Sequence, residues 1–206
     1  MTRIEEIVSF IDKDDFVADI GCDQAEVGIL LAKKGIKSIG IDISDKVILK
    51  AKRKIKRLGL DNYISLYVAD GLYNIDENVD TLVLAGMGAY TISDIISKSN
   101  KKYKKIITIS NTNNDYLRNK MHSYGYYISC EKIIYDSGKY YNLIFFKNGI
   151  RNYTEKELMI GTNVVKDDIY YKWLDYIIEK YKKIQLDSNF TNEKINLMVM
   201  YLQDEK

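Results

Sequence analysis

Two hydrophobic periods alternate along the chain. Residues 2–11 set Ile4, Ile7, Val8 and Ile11 at helical spacing, and residues 16–20 follow as a short apolar run of the kind that forms a buried strand. That pair of signals recurs. Runs at 38–43, 64–68, 80–84 and 105–110 predict further strands, while 24–34, 46–58, 90–97 and 115–123 carry the spacing of amphipathic helices. Gly35 and Gly59 are suited to end the helices before them, and Ser44 to cap the start of the third. After Gly125, two extended runs at 127–135 and 140–147 flank Asp136-Ser137-Gly138-Lys139, a hairpin signature. Strand–helix alternation closed by a hairpin predicts an α/β protein with a Rossmann-like, doubly wound sheet. From residue 152 the period is wholly helical, at 155–165, 169–186 and 192–202. There Trp173, Ile177, Tyr181 and Ile184 form a stripe with Tyr170 and Leu174 beside it, predicting a small α-helical, coiled-coil-like unit whose aromatic stripe is core. The expected division is 1–150 and 151–206.

Composition narrows this little. At 206 residues, 46% hydrophobic and 29% charged, the chain can bury one full core and carry a small extension. Its apolar runs fall short of a bilayer span and its start lacks a signal-peptide apolar region, so a cytoplasmic protein with no membrane partner is expected. Cys22 and Cys130 stand in unrelated contexts, which predicts free thiols and no metal. The net charge of +2 does not announce a nucleic-acid binder, but basic residues cluster at 50–57 and at 101–105.

The chemistry gathers at strand ends. Asp19 precedes Gly21 and Cys22 at the first turn, an Asp-x-Gly followed later by Gly28 rather than the Gly-x-Gly-x-x-Gly that seats a pyrophosphate. This pattern suits S-adenosylmethionine, whose amino-acid ammonium a carboxylate can hold and whose close approach glycine permits. Asp42, with Ile43 beside it, ends the second strand, where a carboxylate can accept from both hydroxyls of a ribose. Asp70 and Gly71 follow the third strand, where an acid can accept from an exocyclic adenine amine. The fourth strand runs into Ala85-Gly86-Met87-Gly88, the expected lining of a transfer site, and the fifth into Asn111. Five such units closed by a hairpin form the architecture of a class I methyltransferase.

The chain also resembles the bacterial tRNA adenine-22 N1-methyltransferases over nearly its whole length. The likeness rests on Asp19 to Asp23, Asp70-Gly71-Leu72, Ala85-Gly86-Met87-Gly88, Asn111-Thr112-Asn113 before Leu117-Arg118, Gly125-Tyr126, the hairpin, and Tyr153-Thr154-Glu155. It implies a methyltransferase domain with a C-terminal helical domain, tRNA as partner, and methyl transfer to ring N1 of an adenine. Two departures fall on the substrate side. Asp23-Gln24 stands where the family shows Asp-His, and Ile109-Ser110 where it shows Gln-Pro; Gln24 can hydrogen-bond a base but cannot take up a proton. A chain without proline also lacks the Asp/Asn-Pro-Pro-aromatic clamp used on exocyclic amines, whereas ring N1 has an in-plane lone pair and needs mainly in-line positioning. Asp23 and Asn111 are thus candidates to hold the base edge, and Met87 to pack near the methyl. Gln24 and Gly88 are candidates on the base side, and Lys52, Arg53, Lys56 and Arg57, with 101–105, for the phosphates. His122 reads as structural. A methyltransferase of another substrate, and a homologue that binds without turnover, stay open. A monomer is expected.

Overall fold

Seven strands arise where the apolar runs fall: β1 (Val17–Ile20), β2 (Ser38–Asp42), β3 (Ile64–Val68), β4 (Thr81–Met87), β5 (Lys105–Ser110), β6 (Tyr126–Asp136) and β7 (Lys139–Asn148). The structure, a computed structural model, describes residues 1–72, 78–187 and 192–206. The strands form one sheet in the order β3-β2-β1-β4-β5-β7-β6, with the first five parallel and β7 antiparallel to both neighbours. Eight helices accompany them among the described residues: α1 (Arg3–Ser9), α2 (Glu26–Lys33), α3 (Asp45–Leu58), α4 (Ala89–Ser97), α5 (Asn114–Ser123), α6 (Glu155–Ile160), α7 (Asp168–Asp187) and α8 (Glu193–Gln203).

The central strands are buried without alternation because helices cover both faces of the sheet. Leu82, Leu84, Ile106 and Phe146 pack on one face against Ile92, Leu117 and Met121 of α4 and α5. Val83, Ile107, Ile109 and Leu143 pack on the other against Ile7, Val8 and Leu31 of α1 and α2. Truncating such a residue to alanine costs about 2–5 kcal/mol. The Thr2 hydroxyl accepts from the Glu5 amide while the Glu5 carboxylate accepts from the Thr2 amide, closing a capping box on α1. Ser44 caps α3 by accepting from the Val47 amide at 3.4 Å, and Gly59, at φ +67°, ends it.

The C-terminal helices differ from expectation in two respects. Helix α6 stops at Ile160 instead of continuing to 165, because Gly161 turns the chain at φ +110° and Val164 then pairs with Glu131 of β6. On α7 the fully packed seam is Tyr170, Leu174 and Ile178, against Ile133 of β6 and Leu202 of α8. Trp173, Ile177 and Tyr181 lie on the shoulder of that seam, half-buried, and Ile184 is exposed.

A buried ion pair fastens this part to the sheet. Arg118 of α5 donates through Nε and one terminal nitrogen to the two oxygens of Glu131, each at 2.8 Å, and its other terminal nitrogen donates to the Met159 carbonyl at 3.1 Å. Thr162 and Asn142 donate to the same carboxylate, so both charges are met by hydrogen bonds as well as by each other.

Candidate functional site

The parallel strands end along one edge, and the sequence-predicted acids and glycines lie on their tips. Asp19 of β1 is only 6% exposed, and burial first, then the nearby Asp42, pushes its carboxyl up to about 7. Burial and the same two acids push the Cys22 thiol up to about 12, keeping it protonated. Asp42 accepts from the Ser44 amide at 2.9 Å, which holds its carboxylate at the start of α3. The β3 tip is tied to this point through the Ala69 amide, which donates to the Asp42 carbonyl at 3.1 Å. Ile43 is 72% exposed, an apolar side chain at the tip of a parallel strand. Asp70 is exposed beside it, and Gly71 turns the chain at φ +61°.

Across the switch in strand order, β4 reaches the tips with a bulge between Ala85 and Met87, where Gly86 sits at φ +83°. The bulge turns Met87 toward β1. Gly21 lies at φ +75°, and a Cβ there would meet the Met87 methyl at 3.0 Å, so only glycine leaves that approach open. Asn111 closes the other side: its amide nitrogen donates to the Gly86 carbonyl at 3.0 Å and its backbone amide to the Met87 carbonyl at 3.1 Å. The fold thus gathers Asp19, Gly21, Asp42, Met87 and Asn111, with Gly88 next in line as the residue preceding α4.

Asp23 and Gln24 are exposed in the turn before α2, Asp23 in the left-handed region at φ +44°. Helix α2 is entered through Ala25, so Asp23 does not serve as its cap. Both residues line a cavity of about 650 Å³ whose opposite wall is Lys50, Arg53, Lys54 and Arg57 of α3. Spacings of three and four residues put these four on one helix face. Lys52 and Lys56 do not line it. The basic run at 101–105 is engaged elsewhere. Lys101 donates to the Val79 carbonyl, Lys102 to the Tyr124 carbonyl, Lys104 pairs with Asp80, and Lys105 with Asp12 and Asp15. This run enters β5 at the end of the sheet opposite the tips. His122 stacks edge-on against Tyr153 at 5.5 Å, in a packing role.

A family model described as a methyltransferase domain matches residues 1–144. The chain belongs to this methyltransferase family. No curated protein sequence matches it. Among solved structures it is similar to M. capricolum TrmK in complex with S-adenosyl-homocysteine, at 26% identity and a TM-score of 0.87, covering 100% of this chain and 96% of that one. Streptococcus pneumoniae Sp1610 in complex with S-adenosyl-L-methionine aligns at 20% identity and a TM-score of 0.88, covering 99% of each chain. The B. subtilis M1A22 tRNA methyltransferase TrmK aligns at 23% identity and a TM-score of 0.78, covering 98% of this chain and 94% of that one. The similarity runs through the C-terminal helices as well as the sheet.

Two features of this methyltransferase escape a sequence reading. The Arg118–Glu131 pair joins residues with no local signal in common. A second cavity, about 790 Å³, runs from the Asn111–Asp115 turn along the β6–β7 hairpin to α7 and α8, and the shoulder residues Trp173, Ile177 and Tyr181 line it. Among the described residues no cluster of His, Cys, Asp and Glu is arranged for a metal, and no helix is long and apolar enough to cross a membrane.

Proposed function

We propose that this methyltransferase transfers a methyl group from S-adenosylmethionine to ring N1 of an adenine in tRNA, at position 22. Residues 1–150 act as the methyltransferase domain and 151–206 as a helical domain that helps hold the RNA. The enzyme works as a cytoplasmic monomer. The observation that carries the reading is the row of acids on consecutive strand tips beside the Gly86 bulge, in a chain similar over its full length to TrmK with S-adenosyl-homocysteine bound.

The residues present fit the cofactor. Asp19 is a buried carboxyl with no cation beside it among the described residues, and an amino-acid ammonium supplies one. Asp42 has its second oxygen available for ribose hydroxyls, Ile43 offers an exposed apolar surface to a purine ring, and Asp70 can accept from the exocyclic amine. Cys22, Gly71, Ala85 and Gly86 complete the surround. When bound, S-adenosylmethionine supplies an electrophilic sulfonium methyl.

This chain's own residues then need to orient rather than to deprotonate. Ring N1 has an in-plane lone pair and carries no proton to remove, so the barrier is lowered chiefly by holding it in line. Asn111 commits one amide hydrogen to Gly86, and its carbonyl oxygen remains to accept from the adenine amine. Met87, against Gly21, walls the approach with a soft apolar group. Methylation leaves the adenine ring positively charged, and the Asp23 carboxylate stabilises that charge as it develops. Gln24 and Gly88 complete the base side. Arg53 and Arg57 contact phosphates, while Lys52 and Lys56 contribute only to the diffuse field of α3. The test is primer extension on unmodified tRNA incubated with enzyme and cofactor. A stop at position 22 that vanishes when that adenine is replaced by guanine is expected; full-length extension on both templates refutes the assignment.

A further inference from the structure

The cavity between hairpin and helices has the chemistry of a stacking site. Tyr135 and Tyr140 pack with ring centroids 4.8 Å apart, and Tyr140 and Tyr176 at 5.3 Å, forming a continuous ladder from β6 through β7 to α7. Its outer rings are uncovered: Tyr135 is 50% exposed and Tyr176 51%. Exposed aromatic rings in series are costly to leave wet and offer flat faces to a planar ligand.

Polar groups in the same groove call for donors. The side-chain oxygens of Asn114 and Asn142 are buried and accept no hydrogen bond among the described residues, although the Asn142 amide donates to Glu131. A buried carbonyl oxygen left unpaired is unfavourable, and a turn of either side chain toward the groove would bring its oxygen to an N–H donor there. Lys139 and Lys180 stand along the groove's walls. Flat apolar faces, unpaired acceptors and cations match a nucleotide: base, N–H edge and phosphate. At about 790 Å³ the space lies in the usual range of ligand clefts, about 300–1,000 Å³.

Continuity with the transfer site identifies which nucleotide. One end of the groove is the turn that contains Asn111, which is bonded to the Gly86 carbonyl. An adenine taken out of its stack leaves its neighbour in the strand without a stacking partner. We infer that the groove between the β6–β7 hairpin and α7 seats an unpaired nucleotide adjoining the target adenine, stacked on the Tyr135–Tyr140–Tyr176 ladder. This rests on tRNA being the substrate. It makes the C-terminal helices part of the substrate site and not only a support for it.

Trp173 is the chain's single tryptophan and lines the groove, so its fluorescence reports occupancy independently of turnover. The test is titration of the full-length protein, saturated with S-adenosyl-homocysteine, with unmodified tRNA. Wild type is compared with the doubly substituted Tyr135→Leu, Tyr176→Leu protein and with Tyr176→Phe. Binding is expected to quench Trp173. The double leucine variant should bind tRNA about tenfold more weakly and show a raised KM, with its cofactor Kd by calorimetry unchanged, while Tyr176→Phe should match wild type. Wild-type tRNA affinity and KM in the double variant, with wild type active, overturn the groove assignment and leave the tRNA reading standing. A wild-type protein that binds cofactor but neither binds nor methylates tRNA overturns both. A concentration-dependent dimer that quenches Trp173 without RNA gives the groove to a second copy of the chain and overturns the proposal.

Discussion

Asp19 makes cofactor affinity depend on pH in a way that can be worked out in advance. Its carboxyl titrates at about 7 in the fold against an ordinary value of 3.8, because burial and Asp42 disfavour its charge. A raised folded pKa means that the neutral form is the one the empty fold favours. The associated stability is fully present below about pH 3.8 and is lost as pH rises through about 7. Above that, the ionised carboxyl costs the empty protein about 4 kcal/mol, the equivalent of a rise of about three pH units. A cofactor ammonium beside Asp19 reverses the preference, so binding below pH 7 must expel a proton. Affinity should therefore fall about fivefold between pH 7 and pH 6, with close to one proton released at pH 6 and close to none at pH 8. Calorimetry with S-adenosyl-homocysteine in buffers of different ionisation enthalpy measures both quantities. Asp19→Asn should remove the pH dependence, weaken binding at pH 8, and raise the melting temperature of the empty protein there. A cofactor Kd that stays flat from pH 6 to pH 8 in the wild type would show that Asp19 does not meet the ammonium.

Other substitutions test the remaining parts. Arg118→Met leaves the Glu131 carboxylate buried without its partner and should cost about 3–5 kcal/mol by denaturant unfolding, while Arg118→Met with Glu131→Met should recover much of the loss; equal loss in both would show that the pair's charge is not what matters. Gly40→Ala would put a Cβ 2.6 Å from Leu66 and 3.0 Å from the Cys22 sulfur, so a loss of about 1–3 kcal/mol is expected, and an unchanged unfolding midpoint would contradict the packing. Changing Arg53 and Arg57 to Gln should raise the KM for tRNA and flatten its salt dependence more than the same changes at Lys52 and Lys56, because only the first two line the cavity beside Asp23; equal effects would mean that the helix acts only through its net charge.

The α/β order and the tip acids were legible because each is a local signal: a strand run, its last residue, the turn that follows. Position on the chain fixed Asp19, Asp42 and Asp70 relative to one another once the strands were parallel. What the sequence withheld depends on contacts between distant segments. On α7 both 170/174/178 and 173/177/181 are apolar rows, and only the presence of Ile133 decides which becomes the seam. The lysines at 101–105 look like an open basic patch until Asp12, Asp15 and Asp80 arrive at Lys104 and Lys105, and the Val79 and Tyr124 carbonyls at Lys101 and Lys102. Along α3 the signal was present and could have been used: helical spacing alone separates 50, 53, 54 and 57 from 52 and 56. The end of α6 at Gly161 was likewise available, since glycine favours the turn that the chain takes there.

That this enzyme methylates ring N1 of an adenine in tRNA is tested most directly by the product nucleoside. Unmodified tRNA is incubated with the protein and methyl-labelled S-adenosylmethionine, digested to nucleosides, and resolved by chromatography with mass detection. All label in N1-methyladenosine is the predicted result. Label in N6-methyladenosine or in a non-adenine nucleoside, or no label while both cofactor and tRNA bind, would contradict it.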